Sequence, residues 1–263
     1  MLTDIVTISA PTVQAFLLAL LRVGGFIAAA PALSHRSVPM SVRIGLSLAI
    51  AWAIQPRIAA QMPAAPTHLL EFLVLGAGEV LVGVIIGFVF ALLFSGLQAA
   101  GELVGLQVGF GLANVYDHTT ERQMGVLGQF ELLLGMLLFF AIDGHHLMLR
   151  AFFDSYRIVG PAGMSLTGTG MDLLIRTSTV LFVIAIKAAA PVMAAVFLTE
   201  IALGITARTV PQMNVFIIGF PLKIGVGLFM LAGALPLFSA VFGNLLLNLS
   251  LGLDEILLAL GAA

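Results

Sequence analysis

The sequence predicts an all-α protein of the polytopic membrane class, built from long, broken hydrophobic helices arranged as helical hairpins. Three observations carry that reading. Apolar residues make up 60% of the 263 residues and charged residues only 9%, against about 25% charged in an ordinary soluble domain. The mean hydropathy is +1.15. No alternation of apolar and polar residues marks a barrel strand, which leaves helices as the way to satisfy the backbone in a bilayer. This composition excludes a soluble globular enzyme and a disordered tail. With 11 basic and 13 acidic residues, no basic face is available to track the phosphates of a nucleic acid.

Six hydrophobic stretches follow in order, each bounded by breakers. The first, 13–33, carries Arg22. The residues before it, Met1-Leu2-Thr3-Asp4, lack the basic region of a cleavable signal, so this segment is expected to remain in the protein. The second, 40–54, carries Arg43 and lies between the Pro31 to Pro39 segment and a three-proline segment at 56–66. The third, 69–112, is the longest and carries Glu79 and Glu102. After the polar turn at 117–122 comes the fourth, 124–142, with Glu131. The fifth, 171–207, follows a stretch rich in Gly, Ser and Thr at 160–170 and carries Lys187 and Glu200. It ends near Arg208, because Pro211 cannot continue the ladder. The sixth, 213–250, carries Lys223 and contains Pro236, Asn244 and Asn248. Only 80–101 and 224–253 are both long enough to span and free of charged residues.

Those charges are the informative part. A charge at the centre of a lipid-facing helix costs about 2.5–3.5 kcal/mol on insertion scales. Arg22, Arg43, Glu79, Glu102, Lys187, Glu200, Arg208 and Lys223 are therefore predicted to be buried against protein or water. Lys187, Glu200 and Lys223 also suit a proton or ion path, but structural pairing inside a bundle carries more weight.

The third stretch holds a second pattern. Glu79, Gly83, Gly87, Ala91, Ser95 and Ala99 recur every four residues, and Gly101, Gly105, Gly109 and Ala113 continue the theme on an adjacent face. Small residues at such spacing let another backbone approach closely. Gly83, Gly87, Ala91, Ser95, Ala99, Gly101 and Gly105 are the predicted packing positions, within the chain or against a neighbouring subunit.

No catalytic constellation appears. The chain has no cysteine, no HExxH, no GxSxG, no P-loop and no GxGxxG. Asp143-Gly144-His145-His146 is the densest set of metal-ligand types. Adjacent histidines on a helix diverge by about 100°, so the segment reads as a polar turn with Gly144 as a helix stop. No metal, cofactor or catalytic residue is assigned, and no lipidation box is seen at the C-terminal end.

The segment Gln107-Val108-Gly109-Phe110-Gly111-Leu112-Ala113-Asn114-Val115-Tyr116-Asp117 differs from all of these. Gly109 and Gly111 free the backbone on both sides of a bulky Phe110. Irregular backbone at membrane depth is tolerated where it is buried in protein or lines a cavity. Two readings stand: an interfacial turn with an aromatic anchor, or a flexible apolar plug in a pore, formed by Gln107, Gly109, Phe110, Gly111, Leu112, Asn114 and Asp117.

Further along, Thr199-Glu200-Ile201-Ala202-Leu203-Gly204-Ile205 leads into Ala207-Arg208-Thr209-Val210-Pro211-Gln212-Met213-Asn214-Val215-Phe216. Then comes Gly219-Phe220-Pro221-Leu222-Lys223. This signature resembles the FliR family of flagellar export-gate proteins and, less closely, its injectisome counterparts. The segments 38–49 and 109–117 match the same family, and the resemblance covers essentially the whole chain. It implies a non-enzymatic, pore-forming subunit of the flagellar type III export gate in the bacterial inner membrane, within the basal body. It implies assembly with FliP-like and FliQ-like subunits, contact with FlhB- and FlhA-like components, and passage of unfolded flagellar proteins. It further implies a FliP-like part over 1–170, a FliQ-like hairpin over 171–263, and a plug at 107–117. His118 stands where the family often has proline. The alternative from the residues alone is a self-contained secondary transporter or ion channel, with Glu79, Lys187 and Glu200 along its path.

Overall fold

The computed structural model describes residues 10–35, 37–59, 61, 68–110, 125–165, 168–212 and 214–261. Regular structure among them is entirely helical: α1 (Ala10–Ala29), α2 (Met40–Ala59), α3 (Leu69–Val108), α4 (Val126–Ala141), α5 (Gly144–Ile158), α6 (Gly168–Thr209) and α7 (Val215–Gly261). Among the described residues, five segments are long and apolar enough to cross a membrane, two of them within α7, and α4 with α5, bent by 73° at their junction, makes a sixth if the two count as one span.

The boundaries depart from the sequence expectation in three places. Gly144 does not stop a helix. The chain leaves α4 at Ile142, Asp143 takes the left-handed conformation at φ 58°, and Gly144 opens α5. Helix α5 has no counterpart among the six apolar stretches because it is amphipathic, burying Met148, Phe152 and Tyr156 while exposing Arg150 and Arg157. Pro56, Pro191, Pro221 and Pro236 lie inside continuous helices. At about 1.5 Å per residue, α3, α6 and α7 reach about 60, 63 and 70 Å. Each is about twice the thickness of a hydrocarbon core.

The described residues form two compact units. The first draws on Met1–Ala91, Asp143–Ser178 and Leu247–Ala263. Here α1 and α2 run antiparallel, with Phe16 and Trp52 edge to face at 6.3 Å. The first half of α3 lies parallel to α1. Gly76 meets Leu21, Gly25 meets Val80, Gly83 meets Arg22 and Phe26, and Gly87 meets Ala29 and Ala30. A β-carbon on Gly83 would collide with the Arg22 carbonyl and the Phe26 amide. From α5, Phe152 stacks on Phe26 at 4.7 Å.

The second unit draws on Leu92–Ile142 and Thr179–Leu246. The later half of α3 packs against α4 at Gly101, where Leu127 and Gly128 leave no room for a side chain. Phe94 meets Phe139 at 5.3 Å and Phe242 at 6.3 Å, both edge to face. Ala100, Val104 and Val108 share a buried cluster with Leu127, Ala189, Val192 and Val196. Helices α6 and α7 return past one another as a hairpin, with Leu203 facing Gly219, Glu200 facing Lys223 and Val196 facing Gly227.

The small-residue spacing does not keep to one face. A four-residue step overshoots a helical turn by about 40°, so four steps from Glu79 rotate the position by about 160°. Gly83 and Gly87 are accordingly buried against α1, Ala91 and Ala99 are half-buried, and Ser95 is exposed. Gly101 and Gly105 are buried at α4.

Candidate functional site

In the second unit, α3 ends at Val108 through a glycine cap. Gly109 adopts φ 105°, a region that costs an L-residue strain. Its N–H donates to the Gly105 carbonyl at 3.2 Å, and the Phe110 N–H donates to the same carbonyl at 2.9 Å. This six-to-one closure satisfies a helix-end carbonyl. It turns the half-buried Phe110 onto the cluster of Val104, Val108 and Val196. A β-carbon on Gly109 would also come within 2.9 Å of the Phe220 ring. Two independent constraints thus require glycine at this position.

One turn earlier, Gln107 is tied to the α6–α7 hairpin. Its Nε2 donates to Glu200 Oε2 at 3.3 Å, while Lys223 Nζ pairs with Glu200 Oε1. Leu203, Gly204, Val215, Gly219 and Phe220 line a cleft of about 250 Å³ beside this pair. The signature residues explain themselves locally. Pro211 and Gln212 make the turn after α6. Asn214 caps α7, its side-chain oxygen accepting from the Ile217 N–H at 3.3 Å, which satisfies a free amide of the first turn. Lys223, two turns on, then lies opposite Glu200. Of the predicted plug, Gln107, Gly109 and Phe110 are described; Gly111, Leu112, Asn114 and Asp117 lie outside the described residues.

The first unit holds the other charged centre. Arg22 and Glu79 are 0% and 2% exposed and meet as a bidentate pair at 2.6 and 2.9 Å. Arg22 also donates to Ser155 Oγ at 3.3 Å, the Val159 carbonyl at 3.1 Å and the Gly160 carbonyl at 3.3 Å. All five guanidinium N–H groups therefore have acceptors. Glu79 Oε1 accepts from the Ala162 N–H at 2.8 Å, and the Tyr156 ring faces the guanidinium carbon at 4.1 Å. A buried ion pair offsets its desolvation only with this degree of completion. The network fastens α1, α3, α5 and the following turn together.

The remaining predicted charges divide. Arg43, Glu102, Glu200 and Lys223 are half-buried. Arg43 donates to the Ser34 carbonyl, and Glu102 accepts from Gln98 at 3.0 Å. Lys187 and Arg208, predicted to be buried, are exposed on this chain. They occupy exposed helix positions, Lys187 next to exposed Ile186 and Arg208 three residues after exposed Ile205. Lys187 also lies thirteen residues from Glu200 on the same helix, about 20 Å away, so it does not join the Glu200–Lys223 pair.

Two further groups noted in the sequence take their meaning from the fold. Glu131 is buried at 3% exposure, and its Oε2 has no hydrogen-bond partner among the described residues. It sits on the α4 face between Gly128 and Gly135, which meet α3. Its position inside an apolar run was the available signal. Asp143, His145 and His146 bring their ligand atoms within 4.8 Å of one another. A 3.2 Å contact between His146 Nδ1 and Asp143 Oδ1 at the start of α5 accounts for part of that proximity.

Comparison with known proteins agrees with the architecture. The profile of the family described as Bacterial export proteins, family 1, matches residues 13–249. The flagellar biosynthetic protein FliR of Bacillus subtilis is 33% identical over 234 residues, 88% of this chain and 89% of its own length. FliR of Escherichia coli is 33% identical over 220 residues, covering 83% of each chain. FliR of Aquifex aeolicus is 27% identical over 237 residues, covering 89% of this chain and 91% of its own. With a helical membrane fold and a profile match along nearly all of its length, the chain belongs to the FliR family of bacterial flagellar export proteins.

Proposed function

We propose that this chain is a pore-forming subunit of the flagellar export gate, and that residues 107–117 plug its conduit when idle. The observation that carries this reading is the built root of that segment. Gly109 turns the chain out of α3 at a conformation only glycine adopts freely, and Gln107 is held by the Glu200–Lys223 pair of the signature hairpin. A plug needs one fixed end and an apolar body, and Phe110 supplies the first bulky group beyond the anchor.

The partners follow from exposed surface. In its most apolar stretch, Ile217–Pro236 is only 11% buried within the chain, against 61% for Leu69–Val108. Helices twice the thickness of a hydrocarbon core cannot all be covered by lipid tails. We therefore assign that surface to FliP-like and FliQ-like subunits, with FlhB- and FlhA-like components beyond them, in the inner membrane at the basal body. Residues 1–170 are the FliP-like part and 171–263 the FliQ-like hairpin. The role is conduction of unfolded flagellar proteins and not catalysis. Glu79 and Glu200 are each held in an ion pair, which favours structural pairing over a transporter path.

The test is purification of the tagged chain from its native membrane in mild detergent. Recovery with FliP-like and FliQ-like subunits in a defined ratio is expected. A chain recovered alone, and transporting a solute in liposomes, would overturn the assignment.

A further inference from the structure

The second unit contains a cavity of about 170 Å³ that no side chain of the described residues fills. Leu97, Ile184 and Phe242, all buried, line its inner side, and Pro191 and Phe238 line its walls. Lys187 is the one charged lining residue. It is exposed, and it has no hydrogen-bond or ion-pair partner among the described residues. The surrounding surface is apolar, with Phe182 66% exposed and Ile186 63% exposed.

Position makes this lysine costly. It lies 19 residues into α6 and 22 before its end, about 28 and 33 Å from the two termini. A side chain cannot snorkel that far. Left alone in hydrocarbon, the ammonium costs about 2.5–3.5 kcal/mol. A hydroxyl or carbonyl would satisfy a donor and leave the charge unbalanced; a carboxylate does both. The adjoining cavity is close in size to one that accepts a benzene ring, about 150 Å³. It therefore suits one large side chain and is too small for a lipid acyl chain.

We propose that Lys187 and this cavity form a docking site for an apolar helix of another subunit. That helix brings an Asp or Glu to the Lys187 ammonium. It also places a large apolar side chain into the cavity from one turn away, the spacing at which residues on a helix share a face. The inference rests on the assembly proposed above and specifies the chemistry of one contact within it.

The complex purified with the wild-type chain is treated with dicyclohexylcarbodiimide. The reagent adds to a carboxylic acid to give an O-acylisourea. Lys187 Nζ then attacks the acyl carbon, the amide forms, a proton is lost from nitrogen, and dicyclohexylurea leaves. Peptide mass spectrometry is expected to find an isopeptide bond from Lys187 to an Asp or Glu in an apolar helix of another chain. Lys187→Glu places two carboxylates together and is expected to lower the recovered complex about tenfold or more. Changing the partner carboxylate to Lys restores it, and Lys187→Arg is tolerated. An assembled complex in which Lys187 is acetylated freely from water and forms no intersubunit isopeptide overturns this inference alone. So does a Lys187→Met chain recovered in full yield with unchanged stability, or a Lys187 cross-link within its own chain. A wild-type chain that purifies without partners overturns the assembly and this inference with it.

Discussion

At the scale of single residues, the Arg22–Glu79 pair is the clearest case of charge placed for structure. Every donor of Arg22 is occupied, so removing one partner strands the other in the interior. Arg22→Met is expected to cost about 3–5 kcal/mol in denaturant titrations of the purified chain, because Glu79 would remain buried and unpaired. Arg22→Met with Glu79→Leu is expected to be less damaging than the sum of the single changes, since a paired burial gives way to an apolar one. Equal stability of wild type and Arg22→Met would remove the pair from the account. The sequence showed that Arg22 and Glu79 needed partners, because each interrupts an apolar run. It did not show that they were each other's partners. They lie 57 residues apart, and nothing local specifies a contact at that range. The same holds for Gln107 and Glu200, 93 residues apart. Lys187 and Arg208 illustrate the converse: hydropathy marks a charge as misplaced in lipid, and only the fold says whether this chain covers it.

At the scale of elements, the apolar helices were legible because length and composition alone define them. Helix α5 was not, because its buried and exposed faces average out along the sequence. The glycine pattern was half legible. Spacing pointed to close approach, but the winding of four-residue steps around α3 sends successive small residues to different neighbours. This distinction has a measurable consequence. Alanine is favoured over glycine in a helix interior by about 1 kcal/mol, so Gly225, with nothing within 4 Å of its β-carbon position, is expected to gain stability as Gly225→Ala. Gly83→Ala is expected to lose about 1–3 kcal/mol by overpacking, because α1 backbone occupies the space. Denaturant midpoints of the two variants of the purified chain should move in opposite directions. Movement in the same direction would contradict the close α1–α3 packing.

At the scale of the whole molecule, the opening composition acquires a sharper meaning. Apolar surface on α6 and α7 is left largely uncovered by the described residues, while Arg22 and Glu79 in the interior are paired with each other. A chain that stood alone in lipid would have little use for helices about twice the thickness of the hydrocarbon layer, or for an exposed lysine at the midpoint of one. A subunit surrounded by others would have use for both. The family signature was legible in the sequence as a pattern of residue types. Its physical content, a turn, a cap and a lysine returned to Glu200 beside Gln107, required the fold.

The most direct test of the central claim is to delete residues 109–112, purify the assembled complex and measure ion conductance in planar bilayers beside the wild type. A complex of unchanged composition that has become leaky to small ions is the expected result. An assembled deletion complex as tight as the wild type would contradict the plug.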